Sequence, residues 1–208
     1  MSLAKKITPL ISEQDYLDGE LSSEIKHEYI DGTVYAMAGT SENHNLISGN
    51  IFRKIGNALE NIKSPCKIFV ADMKVRISYK NTNYFYPDVV ITCDKHQHDT
   101  KYYKHSPIII VEVLSSSTRI KDKTSKKLAY FDIPTLQEYV LIEQDVCEIT
   151  VFRKNTDWQP LFYFLGDSVT FDSIGATVAV EDIYYQVENE EIVNFLNIKQ
   201  QPEPDTGL

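Results

Sequence analysis

The sequence predicts an α/β domain with a mixed β-sheet core, and three patterns point to that class. Apolar residues recur at helical spacing through residues 43–60. The segment Phe69–Ser78 alternates apolar and polar residues, as in a half-buried strand. The run Ile108–Leu114 is almost wholly apolar, as in a strand buried on both faces. Helices interleaved with both kinds of strand favour one mixed sheet, in a single domain spanning residues 1–208.

The first elements are a helix, a hairpin and a longer helix. Residues 12–18 are expected to form a short helix with Ser12 as its N-cap. Within Glu28–Met37, the pair Asp31-Gly32 separates two strand-like runs, which is the pattern of a tight hairpin. The helix over residues 43–60 follows, with its apolar residues on one stripe.

The strands of the core come next. After the strand at 69–78, a turn at residues 80–83 leads to a second strand, Tyr84–Thr92. A polar loop precedes the buried run 108–114, and a helical stretch then extends from about residue 118 to Phe131 and stops before Pro134. The predicted core order is therefore helix, three strands, helix, strand (αβββαβ).

The remaining segments predict a C-terminal β-meander. Tyr139–Glu143 and Glu148–Arg153 are expected to pair around a Gln144-Asp145 turn, and residues 158–180 supply further short strands. The tail at residues 200–208 is polar and contains proline, so we expect it to fray.

The charge distribution limits the classes of partner. A net charge of −9 counts against a protein that coats nucleic acid. Residues 95–127 nevertheless carry a net +5, whereas residues 181–208 carry −6. This asymmetry suits contact with a polyanion on one face, although charge runs alone are more often solvated surfaces. With no apolar run long enough for a membrane span or a signal peptide, we expect a cytoplasmic protein without a membrane partner.

The cysteines and histidines give weak signals. Cys66, Cys93 and Cys147 are far apart and odd in number, so we expect reduced, partly buried thiols rather than a disulfide framework. Three histidines lie near Cys93, but they lack the closing ligand pair of a zinc finger, which makes zinc the weaker interpretation. These histidines are His96, His98 and His105.

Two acids carry the main chemical signal. Glu112 lies in the middle of the buried run, where an unpaired ionised carboxylate is costly and must be neutralised, paired or bound to a cation. Asp88 follows Pro87 in the preceding predicted strand, and acids on successive strands can converge on one hard cation such as Mg²⁺. Each acid has an ordinary alternative: Asp88 as a turn or capping residue, and Glu112 as half of a buried ion pair.

The ordered set of motifs resembles the PD-(D/E)XK endonuclease-like superfamily, and more narrowly its Uma-type restriction-endonuclease family. The resemblance covers about residues 12–185. It is carried by Glu28–Gly32, His44, Tyr86–Val90, Val111–Ser115, Asp122, Lys126, Tyr130 and Glu138–Ile142.

The resemblance implies a restriction-endonuclease-like fold, Mg²⁺ (or Mn²⁺) as cofactor, and DNA as substrate. It makes Asp88, Glu112 and the main-chain carbonyl of Val113 the metal ligands. The superfamily lysine would fall two residues after the strand glutamate, where this chain has Leu114, so the resemblance moves that role to Lys126. Nucleases of this class often act as dimers, which leaves a homodimer open.

Helical spacing supports Lys126 rather than Lys127 as the lysine that faces the carboxylates. Adjacent helical residues are rotated by about 100°. Thr118, Asp122 and Tyr130 share the stripe of Lys126. The other stripe is either solvated or in contact with phosphates. The residues expected to bind nucleic acid are Arg119, Lys121, Lys123 and Lys127.

Other candidate residues of the site each allow more than one role. Glu28 is either a further acidic ligand or part of a hairpin ion pair. His44 is either a proton-transfer or phosphate-contacting group or a helix cap. Asp122 and Tyr130 are accessory candidates, and Asp72-Met73-Lys74, a tempting D-x-K sequence, is better explained as the solvated face of a strand.

Two alternatives to an active nuclease remain. One is a catalytically inactive nuclease-fold protein that acts as a nucleic-acid-binding or regulatory module. The other is a purely structural protein with an internal Glu112–Lys126 ion pair.

Overall fold

The computed structural model describes residues 10–78, 82–93 and 101–199. In these ranges the chain forms helices and short strands. The helices are α1 (Glu13–Ser22), α2 (Glu42–Asn61), α3 (Arg119–Lys123), α4 (Ser125–Phe131), α5 (Val180–Ile183) and α6 (Glu190–Lys199), with a 3-10 turn at Lys154–Thr156. The strands are β1 (His27–Ile30), β2 (Thr33–Ala36), β3 (Lys67–Val70), β4 (Lys74–Ile77), β5 (Asn83–Phe85), β6 (Val89–Thr92), β7 (Tyr103–Lys104), β8 (Ile109–Leu114), β9 (Glu138–Glu143), β10 (Ile149–Arg153), β11 (Pro160–Tyr163), β12 (Ser168–Phe171) and β13 (Ala176–Ala179).

The larger sheet has the order β11-β10-β9-β8-β6-β3. β8 and β9 run parallel, whereas the other neighbouring strands run antiparallel. A parallel pair needs a crossover connection, and α3 and α4 supply it. Every residue of β8 and β9 is buried, as expected for strands covered on both faces. The predicted α/β class with a mixed sheet is therefore confirmed.

Helices cover the two faces of this sheet and divide the side chains of β8 between them. Ile47 and Ile51 of α2 pack in one cluster with Val111. Tyr130 of α4 packs in another cluster with Ile110. Successive side chains of a strand point to opposite faces, so residue 112 shares the face of residue 110. The alternation of side chains along β8 is therefore enough to place Glu112 on the face that α4 covers.

The smaller sheet has the order β2-β1-β5-β4-β7. The hairpin of β1 and β2 turns at Asp31 and Gly32, both with positive φ, as a tight two-residue turn requires. Ser12 caps α1 by accepting a hydrogen bond from the backbone N–H of Asp15. The predicted hairpin and the predicted α1 cap are both present.

Two segments predicted as single strands are each split between the two sheets. The segment 69–78 breaks at Ala71, which has φ 57°, so β3 joins the larger sheet and β4 the smaller one. The segment 84–92 breaks at Pro87-Asp88, because a proline cannot donate to a strand ladder. These two predictions were wrong, and one consequence is that Lys74 is buried instead of solvated. Asp72 is exposed, as predicted.

The predicted helix after Thr118 is also interrupted. Thr124 has φ −126° and ψ −96°, which ends α3 and starts α4. The break leaves Asp122 and Lys126 close together, with 3.5 Å between Oδ1 and Nζ. The expectation of one continuous helix was wrong, but the shared face survives the break.

The cysteine prediction was wrong for two of the three residues. Cys66 and Cys93 form a disulfide with their Cα atoms 4.0 Å apart. In the β3–β6 register Lys67 lies opposite Thr92, so the residues one step further along, 66 and 93, face each other. The sequence could not predict this pairing, because the two cysteines are far apart in the chain and the strand register that brings them together is set by the tertiary structure. Cys147 is free and buried, as expected.

The C-terminal part contains the predicted meander, in which β9, β10 and β11 are successive antiparallel neighbours. β12 and β13 form a separate hairpin, and α6 was not predicted. The tail at residues 200–208, His96 and His98 lie outside the described residues. No helix among the described residues is long and apolar enough to cross a membrane.

Candidate functional site

A cavity of about 490 Å³ lies where the end of β8, the start of α2, the β1–β2 hairpin and α3 meet. It collects most of the residues that the sequence singled out. These residues are Glu28, His44, Asp88, Glu112, Val113, Lys121, Asp122 and Lys126. A larger, more open cavity of about 940 Å³ near α6 contains none of them, so size does not identify the site.

Asp88 and Glu112 lie opposite each other on neighbouring strands. The antiparallel register pairs Val89 with Val111, and one further step pairs residue 88 with residue 112. The Asp88 carboxylate accepts a hydrogen bond of 2.7 Å from the backbone N–H of Val113. Asp88 is therefore neither a turn residue alone nor a helix cap, because it is anchored to the strand that carries Glu112.

Lys126 occupies the centre of the acidic cluster. Its Nζ atom lies 2.8 Å from Glu112 Oε1, 3.1 Å from Glu28 Oε1 and 3.5 Å from Asp122 Oδ1. The side chain is only 6% exposed. Asp88 is not among the carboxylates within ion-pair distance of this ammonium in the described part of the chain, so the expected contact exists to Glu112 and not to Asp88.

Burial and the neighbouring opposite charges shift the pKa values of Lys126 and Glu112 in opposite directions. Burial lowers the pKa of Lys126, but Glu112, Glu28 and Asp122 outweigh burial and raise it, so the amine keeps its proton. Burial raises the pKa of Glu112, Lys126 lowers it, and the nearby Asp122 and Asp88 raise it, with the net direction upward. The Tyr130 hydroxyl donates a hydrogen bond of 2.9 Å to Glu112 Oε1. Burial and the neighbouring acids thus outweigh the stabilisation that Lys126 gives to the ionised form of Glu112.

His44 reaches Asp88 from the first turn of α2. Ser41 is the N-cap and accepts a hydrogen bond from the His44 backbone N–H, so the imidazole is not the cap. The Nε2 atom lies 3.3 Å from Asp88 Oδ2. Burial lowers the pKa of His44, but hydrogen bonds to Asp88 and to the Val113 backbone, together with the Asp88 charge, raise it overall.

Glu28 contributes a carboxylate from the hairpin. It forms ion pairs with Lys121 and Lys126 across the cavity, rather than within the hairpin. Burial raises the pKa of Glu28, but the two ammonium groups more than reverse that effect and lower it. The two lysines thus keep Glu28 ionised.

The basic residues expected to bind nucleic acid are mostly engaged with carboxylates. Arg119 Nη2 and Lys123 Nζ each lie 2.7 Å from an oxygen of Glu143. Lys121 pairs with Glu28, and the Lys127 ammonium lies 4.8 Å from the centre of the Phe152 ring. Sequence reasoning missed Glu143, although the signal that identified Glu112, an acid adjoining an apolar run, applies to it as well.

The donor set fits a hard divalent cation. Asp88 and Glu112 offer carboxylate oxygens, and Mg²⁺ commonly binds one or two carboxylates and keeps several waters. Asp122 Oδ1 is buried and accepts no hydrogen bond, and its neighbour in the cluster is the Lys126 ammonium at 3.5 Å. No three His, Cys, Asp or Glu side chains converge as a metal-binding group among the described residues. A cation here would therefore draw on main-chain oxygen and water as well.

One of the residues considered as a zinc ligand, Cys93, is not available to bind a metal ion. Cys93 is bonded to Cys66 and has no thiolate to offer. His105 lies in a ring contact with Tyr103. The candidate site is therefore the acidic cavity and not the cysteine–histidine segment.

A mixed sheet that carries two acids on neighbouring strands is the arrangement of the PD-(D/E)XK nuclease-like class, from which this chain departs by having its lysine on the following helix. The chain belongs to the Uma2 family, whose description is "Putative restriction endonuclease" and whose model matches residues 13–181. The family and the fold together support a nuclease-type function.

The chain is also similar to two other proteins and to one solved structure. The chain is 38% identical over 178 residues to protein slr1290 of Synechocystis sp., covering 85% of this chain and 92% of that protein. It is 35% identical over 154 residues to protein sll1609 of the same organism, covering 73% and 85%. The crystal structure of a putative nuclease belonging to DUF820 from Anabaena variabilis superposes with a TM-score of 0.65 at 15% identity, covering 80% of this chain and 93% of that one. At that identity the structural likeness supports the fold alone.

Proposed function

We propose that this protein is a divalent-metal-dependent endonuclease that hydrolyses phosphodiester bonds in DNA. The observation that carries the proposal is the placement of Asp88 and Glu112 on opposed positions of neighbouring strands, in one cavity with the Lys126 ammonium. Two acids and a lysine in a concave, partly buried site form a constellation suited to metal-assisted hydrolysis.

Asp88, Glu112 and the main-chain carbonyl of Val113 would hold Mg²⁺ or Mn²⁺. When bound, such a cation activates water and offsets charge on the phosphate. The hydrogen bond from the Val113 N–H fixes one oxygen of Asp88, and the Tyr130 hydroxyl fixes one oxygen of Glu112. Both carboxylates are thus oriented by neighbours before any ligand arrives, as an efficient metal site requires.

Lys126 would orient the attacking water and offset the charge that develops on the phosphate. Its raised pKa means that it keeps its proton near neutral pH. A permanently protonated amine cannot accept a proton, so we assign it electrostatic stabilisation and not the role of general base. Asp122 and Glu28 help hold this ammonium in the cavity.

Contact with DNA would involve an exchange of partners on α3. Arg119 and Lys123 would leave Glu143 for backbone phosphates, and Lys121 would leave Glu28. Lys127 would contact phosphates of the same DNA strand from its position beside Phe152. Arginine and lysine recognise phosphates chiefly through charge, so this contact would be independent of base sequence.

The structural alternative draws on the same ion pair, since a structural Glu112–Lys126 pair would also lie at 2.8 Å. Purified protein should be incubated with supercoiled plasmid in Mg²⁺, in Mn²⁺ and in a chelator. We expect nicking or linearisation in metal only, and none with Glu112→Gln. DNA binding without cleavage in either metal would favour the inactive module, and no metal response of any kind would favour the structural protein.

A further inference from the structure

His44 contacts one of the groups that the proposed function assigns to the metal ion and lines the same cavity as the others. Its Nε2 atom lies 3.3 Å from Asp88 Oδ2. Glu112 and Val113 also line this cavity. The imidazole therefore lies against a carboxylate that faces the cavity and shares that cavity with the other proposed ligands.

The His44 imidazole has no role in capping α2, because Ser41 is the N-cap residue of this helix. Ile47 and Ile51 of the same helix are fully buried against the larger sheet, which fixes the position of the first turn relative to β8. The His44 side chain is 8% exposed and lines the cavity. It places a nitrogen atom at the edge of a set of oxygen donors.

We propose that His44 is a further metal ligand, and that the site consequently favours Mn²⁺ or another transition ion over Mg²⁺. The inference rests on the proposed function and specifies its cofactor. Imidazole suits transition ions, whereas Mg²⁺ prefers oxygen ligands. With Asp88, Glu112 and the Val113 carbonyl, His44 brings the proposed donor set to four groups. No three acidic, histidine or cysteine side chains already converge among the described residues, so these side chains would close around the ion only on binding, and the imidazole would release its proton.

The alternative is that His44 only orients Asp88 through a hydrogen bond, as a positioning residue. A ligand and a positioning residue differ in one measurable respect, because only a ligand nitrogen is directly coupled to the electron spin of bound Mn²⁺. Pulsed electron paramagnetic resonance of the Mn²⁺-loaded full chain, without an affinity tag, should show a directly coordinated ¹⁴N nucleus. In protein labelled with ¹⁵N-histidine, that coupling should change to a ¹⁵N pattern.

His44→Gln should remove the nitrogen coupling and weaken Mn²⁺ binding at least about tenfold by calorimetry, with a smaller effect on Mg²⁺. His27→Gln is the matched control. The His27 imidazole contacts Glu20 on the other side of the β1–β2 hairpin, so the coupling should persist in that variant.

Three results would overturn the inference, and they separate it from the proposed function. Mn²⁺ bound by wild-type protein without nitrogen coupling would remove His44 from the ligand set and leave a nuclease with oxygen ligands. Coupling that persists in His44→Gln would assign the nitrogen to another residue. No Mn²⁺ binding at all would reject the metal-dependent function together with the inference. If His44→Gln does not fold, the ¹⁵N-labelled wild type still decides whether a histidine binds the ion.

Discussion

The Nζ atom of Lys126 lies 2.8 Å from Oε1 of Glu112, although the lysine belongs to α4 and the glutamate to a buried strand. The contact exists because the strand period directs Glu112 to the face that α4 covers. Asp122 stays beside Lys126 across the break between α3 and α4, helical spacing within α4 places Tyr130 one turn after Lys126, and both residues also contact the pair.

Metal binding should raise the melting temperature. A ligand that binds only the folded state stabilises it by about 2.7 kcal/mol at one hundred times its dissociation constant. For a protein of this size that corresponds to a rise of roughly 5–10 °C. Differential scanning calorimetry with and without Mn²⁺ measures the shift. Glu112→Gln should abolish it, and Glu60→Gln, on the exposed face of α2, should not. A wild-type protein with no shift and no binding heat would contradict the metal site.

Asp88→Asn and Glu112→Gln should fold, lose cleavage and retain DNA binding. Each change removes a carboxylate that repels phosphate, so affinity for DNA should be equal or slightly higher. Cleavage of plasmid DNA and fluorescence anisotropy of a labelled duplex measure the two properties separately. Asp72→Asn serves as the control, because Asp72 is exposed and pairs with Lys26 at the surface. Activity in both variants equal to that of the wild type would refute the assignment.

Replacing Lys126 should cost both activity and stability. Lys126→Met leaves Glu28, Glu112 and Asp122 without their shared cation. Removing one partner of a buried ion pair costs about 3–5 kcal/mol. Chemical denaturation should show that loss, and plasmid cleavage should be abolished even where the variant is folded.

Lys127→Met is the matched comparison, because Lys127 lies beside Phe152 and outside the cavity. It should keep catalysis and stability but weaken DNA binding. The logarithm of the DNA-binding constant should also depend less steeply on the logarithm of the salt concentration, by the amount expected for the loss of about one phosphate contact. Loss of cleavage in Lys127→Met, with cleavage retained in Lys126→Met, would reverse the assignment.

The stability of the metal-free protein should fall as the pH rises above the ordinary histidine range. His44 has a pKa raised above its usual 6.5, so the folded state binds a proton more tightly than the unfolded state. The resulting stabilisation is complete below the unfolded pKa and is lost as the pH rises through the folded one. Unfolding free energies between about pH 6 and 9 should show this decline. His44→Gln should flatten it, and an unchanged slope in that variant would contradict the ion pair with Asp88.

The Cys66–Cys93 disulfide should be detectable by its chemistry. Of the three cysteines, only Cys147 should react with a thiol reagent after unfolding without reductant. The bridge closes a loop with a sequence separation of 27 residues, for which chain entropy gives about 3.5 kcal/mol of stability. Reductant should lower the melting temperature of the wild type but not of the double variant Cys66→Ser/Cys93→Ser. Three reactive thiols in the oxidised protein would show that the bridge is absent.

The sequence by itself determined the elements whose signals are local. The Asp31-Gly32 turn, the Ser12 cap and the apolar stripe of α2 each follow from the conformational or packing preferences of neighbouring residues. It also singled out Glu112, because a carboxylate in a fully apolar run needs a partner wherever that run folds. The grouping of Asp122, Lys126 and Tyr130 on one face needed only the helical period.

Only the tertiary structure decided what depends on register and on the choice of sheet. The splitting of segments 69–78 and 84–92 between two sheets buried Lys74 and placed Asp88 opposite Glu112. The β3–β6 register brought Cys66 to Cys93. The period of a strand specifies which face a side chain occupies, but not which residue of another strand lies beside it. That choice is made when α2 and α4 close over the two faces of the larger sheet, because only one register then buries the apolar residues of every strand at once.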